Sequence, residues 1–479
     1  MKRIRTYLLA ALFAVSLQAR GQVATIDGAK VKQEIDGFGA SSAWHGQLSI
    51  PEVSAAFGND NANQLGLSIL RVRIDPNSNY WLDEKVNAQR AKALGVKILA
   101  SPWSPPASMK TNNNVVGGEL KPESYAGYAT HLKNFCNYLG TVDVVSLQNE
   151  PNIGVTYESC WWSPSQILEF CRTNAPAIGK PFMVPEAFNF DKSFSDPVLN
   201  DSLANAHTSY IGGHIYGAVP FSYTNAIEKG KKVWMTEHYI EGDDATACVN
   251  LAEEIALCMY DNMNAYVYWW LRAGSTNLME SGGALKKKGY AMAHFSKFIR
   301  PGYHRIEAPF SAQYNLNLVA FEGDGKTVLV VVNQNPTPRT QTFTFKSDTV
   351  QGVKKYITTA TKNLNDEGKI VCTNNSFTDY IAAQSITTYV TTEIPTGFAT
   401  VPNSEIRIFP NPATDFIRLS TSEGVSSIQI LNQLGQQMMF ISKPESPEIN
   451  VSQLPKGFYI ISIVQRGQAR RFKFLKVNK

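Results

Sequence analysis

The chain of 479 residues has no block of basic side chains; 45 Lys and Arg stand against 40 Asp and Glu, and the net charge of +5 is dispersed. Nucleic-acid binding needs clustered cations, so no nucleic-acid partner is expected. An acidic or a neutral polysaccharide would both be tolerated. Charged residues make up only 18% against 43% hydrophobic, which argues against extensive disorder. The six cysteines, Cys136, Cys160, Cys171, Cys248, Cys258 and Cys372, include no C-x-x-C pair, and the seven histidines lack paired ligand spacing. No zinc site is therefore expected. Cys136 and Cys258 fall in helical apolar patterns, and most of the six read as buried thiols, although bridges are possible in an oxidising compartment.

Long apolar runs are also missing. Only Leu8 to Leu17, behind the basic start Met1-Lys2-Arg3-Ile4-Arg5 and ahead of Ala19, comes close to one, and it is shorter than the roughly 20 residues of a membrane helix. A signal peptide is expected over 1–21, and no transmembrane segment beyond it. Residues 22–32 look like a strand that pairs with a later β domain.

Over 33–302, short apolar runs alternate with longer amphipathic stretches, the pattern of parallel strands joined by helices. Strand candidates are 35–39, 68–72, 96–100, 144–147, 181–184, 211–215, 233–236 and 265–269, with helix-like segments such as 125–139 and 245–262 between them. Their count and length match an α/β fold of the (β/α)8 TIM-barrel type. Alternating Val, Thr, Phe and Tyr over 303–392 read as an appended antiparallel β-sandwich side domain. A linker follows at 393–404, then a small all-β unit at 405–479. A monomer is expected.

Two of the apolar runs end in glutamate: Val144-Val145-Ser146-Leu147-Gln148-Asn149-Glu150-Pro151 and Val233-Trp234-Met235-Thr236-Glu237. Barrel strands open their C-terminal ends on one face, so Glu150 and Glu237 can meet across one cleft. Paired carboxylates are what glycosidic cleavage needs, one to protonate the departing oxygen and one to attack or stabilise the sugar carbon. The competing reading of each is a surface glutamate or half of a salt bridge.

Around this pair, Asn149 is positioned to hydrogen-bond a sugar hydroxyl, or else caps a strand end. Tyr216 could donate to Glu237 and keep it ionised, or be a core tyrosine. Tryptophans gather at strand ends, Trp44, Trp103, Trp161, Trp162, Trp234, Trp269 and Trp270, and flat apolar rings are what sugar faces stack on. Trp234 reads as core and Trp103, in a Pro-stiffened loop, as functional. Arg71 and Arg73 share one side of a strand that should face the barrel interior. Buried arginine needs partners, so at least one should hold a catalytic carboxylate, the alternative being a rim pair with Asp75. His214 and His238 flank the site as supporting residues.

The segments Ile35-Asp36-Gly37-Phe38-Gly39-Ala40-Ser41, Trp103-Ser104-Pro105-Pro106-Ala107-Ser108-Met109-Lys110, Gln148-Asn149-Glu150-Pro151, Tyr157-Glu158-Ser159-Cys160, Ile211-Gly212-Gly213-His214-Ile215-Tyr216-Gly217 and Trp234-Met235-Thr236-Glu237 together resemble glycoside hydrolase family 30, specifically its bacterial xylanase subfamily. The resemblance implies a retaining enzyme acting on xylan, with Glu150 as acid/base, Glu237 as nucleophile and no metal or organic cofactor. Retention implies carboxyl groups about 5 to 5.5 Å apart. Trp44, Trp103, Asn149, Tyr216, Trp269 and Arg272 are the expected substrate contacts, supported by Arg71 and His214.

One loop departs from the pattern. Glucuronate-dependent members carry two consecutive arginines and then a tyrosine after the eighth strand, and the second arginine and the tyrosine grip the glucuronate. Here Trp269-Trp270-Leu271-Arg272-Ala273-Gly274-Ser275 keeps Arg272 in the first position but has Ala273 and Ser275 in the gripping ones. Loss of a bidentate guanidinium implies cutting without strict glucuronate dependence. Lys286, Lys287 and Lys288 are a candidate replacement cation, or a solvated surface. At the C-terminus, Phe409-Pro410-Asn411-Pro412 and Gly457-Phe458-Tyr459 resemble the sorting domain of type IX secretion cargo. That implies secretion machinery as a partner and an extracellular or surface-attached product; the alternative is a carbohydrate-binding sandwich.

Overall fold

The computed structural model describes residues 23–272, 274, 276–346, 349–392, 407–432, 436–465 and 468–478. The expected signal peptide, the linker, Ala273 and Ser275 lie outside the described residues. Two compact units span Met1–Ile394 and Pro395–Lys479.

The first unit opens with β1 (Val23–Glu34) and then closes eight parallel strands into a barrel in chain order: β2 (Gly37–Ser41), β3 (Ile69–Ile74), β4 (Lys97–Pro102), β5 (Val144–Ser146), β6 (Phe182–Ala187), β7 (Tyr210–His214), β8 (Lys232–Glu237) and β9 (Ala265–Tyr268). Strands buried on both faces are largely apolar, which makes these short runs recognisable; their ends shift by at most three residues from the expected ones. Ile69, Leu99, Val144, Met183, Trp234, Ala265 and Val267 plug the interior. Trp234 is therefore core. At the N-terminal end of the barrel, buried Asp36 receives Lys97 Nζ at 2.9 Å, Lys232 Nζ at 2.8 Å and Trp234 Nε1 at 2.9 Å, binding three strand starts together.

The outer layer includes α1 (Ile50–Phe57), α2 (Leu82–Lys92), α3 (Tyr125–Leu139), α4 (Pro164–Thr173), α5 (Asp196–Asn200), α6 (Ser202–Ala206), α7 (Thr224–Glu228), α8 (Ala245–Tyr260) and α9 (Lys287–Ser296). Ser49 and Glu52 form a reciprocal capping box at the start of α1, satisfying otherwise orphaned amides. Gly140, with a φ of 71°, ends α3 in the left-handed form. Asn262 takes a left-handed φ of 64°, and α8 stops two residues before the expected boundary.

Nine further strands build the side domain: β10 (His304–Glu307), β11 (Ser311–Gln313), β12 (Leu316–Gly323), β13 (Lys326–Asn333), β14 (Arg339–Phe345), β15 (Gly352–Thr358), β16 (Asn365–Val371), β17 (Ser376–Ile381) and β18 (Ser385–Thr392). β1 passes between its layers. Val23 to Ile26 pair with β14, whereas Asp27 to Glu34 pair with β10. The β1–β14 pairing is parallel, so the domain is not purely antiparallel. Phe343 and Phe377 pack on Tyr389 at centroid distances of 5.5 and 5.0 Å, joining the layers through an apolar core.

The second unit contains β19 (Ile408–Phe409), β20 (Phe416–Leu419), β21 (Val425–Leu431), β22 (Gln437–Ser442), β23 (Glu448–Asn450), β24 (Gly457–Gln465) and β25 (Gln468–Lys476) in two sheets around Ile428, Ile430, Ile461 and Phe474. All six cysteines are free thiols, and Cys372 alone among them is not fully buried. No described helix is long and apolar enough to cross a membrane.

His294 on α9 is enclosed between barrel and side domain, its ring nitrogens 2.7 and 2.8 Å from the hydroxyls of Thr388 and Thr358. Burial lowers its pKa from 6.5 to about 3. The unfolded imidazole protonates first as pH falls, so the stability held above pH 6.5 is lost progressively toward pH 3. Denaturant titrations should find the wild type losing up to about 1.4 kcal/mol per pH unit through this group, with a flatter acid limb in His294→Gln.

Candidate active site

The site is assembled on the C-terminal face of the barrel. Along β3 the inward positions are Ile69 in the plug, Arg71 one layer above it and Arg73 at the rim. Arg71 is fully buried. Its Nη1 donates to Glu237 Oε2 at 2.5 Å, its Nη2 to Asn149 Oδ1 at 2.7 Å, and Nη2 lies 3.1 Å from Glu186 Oε2. The guanidinium also sits 4.6 Å from the ring of Trp103 and 5.9 Å from that of Trp269. Arg73 instead pairs with Asp75 at 2.5 Å and with Glu158. The two readings of these arginines thus divide between them.

Two register shifts aim carboxylates inward. On β8, Gly213 opposes Met235 but His214 opposes Glu237, so the extra residue turns Glu237 toward the axis. On β6, Pro185 opposes Gly212 but Ala187 opposes Gly213, and the extra residue is Glu186, at a left-handed φ of 54°. Glu150, also left-handed at 45°, donates its amide to the Glu186 carbonyl at 3.0 Å. Non-glycine residues in this conformation are uncommon, and here two of them carry carboxylates to one centre. A Cβ on Gly213 would come within 2.4 Å of the Phe190 ring, so only glycine allows the strand next to His214 so close to that loop.

His214 is the hub of the three carboxylates. Its Nδ1 lies 2.9 Å from Glu150 Oε1, and its Nε2 lies 3.8 Å from Glu186 Oε2 and 4.0 Å from Glu237 Oε2. Burial alone would lower its pKa, but the charges of Glu237, Glu150 and Glu186 raise it to about 9. Burial would likewise raise the Glu186 carboxyl, yet Arg71 and His214 bring it down to about 2. Tyr216 donates to Glu237 Oε1 at 3.0 Å and Tyr157 to Glu150 Oε2 at 3.3 Å. Burial and then the carboxylates beside them push both phenols above their ordinary range.

One donor atom from each of Glu150, His214 and Glu237 lies within 4.8 Å of the others. Such a set could in principle hold a cation, but the Arg71 guanidinium on Glu237 already supplies positive charge there. The arrangement is accounted for as a network of hydrogen-bonded charged groups.

A cleft of about 510 Å³ lies over the carboxylates, lined by Trp44, Trp103, Glu150, Ile153, Tyr157, Phe188, Tyr216, Glu237, Tyr239, Trp269 and Trp270. Trp44, Trp103 and Trp269 form a mutually packed box with centroid separations of 4.8, 5.9 and 5.8 Å. Asn149, Arg71 and His214 lie beneath the lining.

Not every expected residue belongs here. Arg272 is bonded to Glu52 in the α1 capping box and donates to the His45 carbonyl at 2.6 Å; it is absent from the cleft lining. The same guanidinium that looks like a substrate ligand in sequence is consumed by a helix cap. Trp162 is buried against Phe170, while Trp161 is 41% exposed. His238 pairs with Glu254 at 2.8 Å. The lysine run is neither a free cation nor a solvated face: Lys288 is buried, its Nζ 2.6 Å from the Ile240 carbonyl, and Lys287 donates to Asn363 at 2.5 Å. Glu186 went unrecognised because Pro185 masks its strand, although it too is a glutamate ending an apolar run. Tyr157 and Tyr239 lie on loops and Phe188 on the single 3-10 turn Phe188–Phe190, none with a periodic signal.

Comparison with known proteins agrees with this geometry. The family model described as "Secretion system C-terminal sorting domain" matches residues 407–477. Glucuronoxylanase XynC of Bacillus subtilis (strain 168) is 36% identical over 387 residues, covering 76% of this chain and 91% of the relative. The solved glycoside hydrolase family 30 subfamily 8 xylanase, Xyn30A, from Clostridium acetobutylicum superposes with a TM-score of 0.74 at 41% identity, over 77% of this chain and 99% of that one. A family 30 endoxylanase from Clostridium papyrosolvens C71 gives 0.72 at 36% identity, covering 77% and 100%. With both sequence and fold matching over nearly the full length of these relatives, the chain belongs to glycoside hydrolase family 30.

Proposed function

We propose that the protein is a secreted, retaining endo-β-1,4-xylanase, with Glu237 as nucleophile and Glu150 as acid/base. The observation that carries the reading is the approach of a Glu150 oxygen and a Glu237 oxygen to within 4.8 Å in one aromatic-walled cleft. Oxygens this close support direct attack by one carboxylate rather than a site with room for an attacking water between the two.

Chemistry follows from the partners. Arg71 and Tyr216 occupy one oxygen each of Glu237, which stabilises the carboxylate and directs a remaining lone pair at the anomeric carbon. Glu150 receives a hydrogen bond from Tyr157 and one from His214 when that ring is protonated at Nδ1; it delivers its proton to the leaving oxygen and later takes one from water. Arg71 holds Asn149 by its amide oxygen, leaving the NH2 group for a sugar hydroxyl, an interaction that can strengthen in the transition state. Trp44 and Trp269 offer stacking faces for the sugar, while Trp103, only 2% exposed, packs against both and against Arg71.

The relatives named glucuronoxylanase support xylan as substrate and favour a second reading, strict dependence on glucuronate. Against that dependence stand Ala273 and Ser275 at the gripping positions and the engagement of Arg272 by Glu52. The sorting-domain match supports export by the type IX machinery, followed by release or surface attachment.

Glu237→Gln should reduce kcat on xylan by roughly 10^4-fold or more, and Glu150→Gln by about 10^2 to 10^4-fold, with azide restoring turnover of an activated aryl xyloside only in the second. Proton NMR of the first product should find the β anomer; an initial α anomer would overturn the double displacement. Activity should fall as pH rises through about 9, where His214 loses its proton. The sign is that of a raised pKa, the folded-state benefit being full below 6.5 and lost above 9. In kcat/KM profiles, His214→Gln should move the alkaline limb, because His214 lies against the Glu150 carboxyl that must donate the proton. Unsubstituted and arabinose-substituted xylan should both be cut, and cleavage confined to glucuronoxylan would defeat the decoration-independent reading.

A further inference from the structure

A second groove, of about 700 Å³, continues from the catalytic cleft and shares Ile153 and Phe188 with it. Its direction can be read from the acid/base. The tryptophan box follows β2, β4 and β9, whereas the groove is lined from the ends of β5, β6 and β7 on the opposite side of the closed barrel; Glu150, which protonates the leaving oxygen, follows β5, and this assigns the departing sugars to the groove. Asn152 and Ile153, two and three residues after Glu150 in the chain, form the start of the groove.

The groove has the makings of sugar subsites. Phe188 stacks on Tyr216 at 5.7 Å, carrying an aromatic surface from the nucleophile's hydrogen-bond donor into the groove. Asn152 clamps the Phe188 backbone through both its amide atoms, at 2.8 and 3.0 Å. Farther out, half-buried Phe221 is braced edge-on by Phe190 at 5.3 Å. Lys192 lies over it, its Nζ 4.8 Å from the Phe221 centroid and 5.7 Å from that of Tyr223. Among the described residues no ion pair engages this ammonium; the nearby Asp191 also lines the groove and turns Oδ1 to the Ser193 amide at 3.0 Å.

We infer that this groove binds the leaving-group side of the xylan chain and that Lys192 there recognises a carboxylate-bearing side group. The inference rests on the assignment of Glu150 as acid/base in a xylanase. It differs in outcome from recognition on the other side of the cut. An acidic branch held in this groove ends near the non-reducing terminus of the released product, because cleavage occurs on the non-reducing side of its sugar.

The test is digestion of glucuronoxylan and arabinoxylan by the full chain, with product sequencing and rates at low and high salt. Wild type should release products bearing the acidic group near the non-reducing end. Lys192→Gln should lower the ratio of acidic to neutral substrate rates by up to about five-fold at low salt, shrinking as salt screens the contact. Asp191→Asn, which keeps a capping side chain, should move the ratio the other way. An active wild type whose ratio and acid position are unchanged by Lys192→Gln would overturn the inference, whereas a wild type inactive on every xylan would instead overturn the xylanase reading.

Discussion

A guanidinium enclosed in a barrel is the constraint on which the site depends. Arg71 has no solvent contact, and an unpaired charge in such a place costs several kcal/mol. It persists because Glu186 and Glu237 balance its charge, Asn149 accepts from it, and Trp103 and Trp269 flank it. Each partner is thereby immobilised. The cation positions the Glu237 carboxylate, and the demand to satisfy the cation keeps the surrounding strand ends in place.

His214 complements this arrangement. Two cations, Arg71 and the protonated imidazole, face the carboxylates of Glu150, Glu186 and Glu237. The positive groups thereby offset the carboxylates gathered around them. Glu186 serves that balance: wholly buried, with its carboxyl held down to about 2, it acts as a permanent anion beneath the cleft. The aromatic walls above line the cleft with apolar surface, and burial beneath them weakens screening and strengthens these contacts.

Legibility in the sequence followed physical regularity. Barrel strands were visible because burial on both faces produces uninterrupted apolar runs, and Glu150 and Glu237 because they end such runs. The bulges on β6 and β8 have no comparable signature, so Glu186 was missed and the inward turn of Glu237 could not be derived from strand alternation. Arg272 and Lys288 were misjudged for a related reason. A cation's role depends on which acceptor lies within reach, and the acceptors, Glu52 and the Ile240 carbonyl, are far away in the chain. The glycosidase assignment itself needed the resemblance of several motifs taken together, since a single glutamate after a strand says little.

The route of β1 has a kinetic implication. Its residues pair with β14 and β10, so Val23 waits for Thr342 and Asp27 for Glu307. Contacts of such separation form late, because closing long loops costs entropy before any pairing repays it. The first described strand is thus among the last to be incorporated, since both its partners belong to the side domain that follows the whole barrel in the chain.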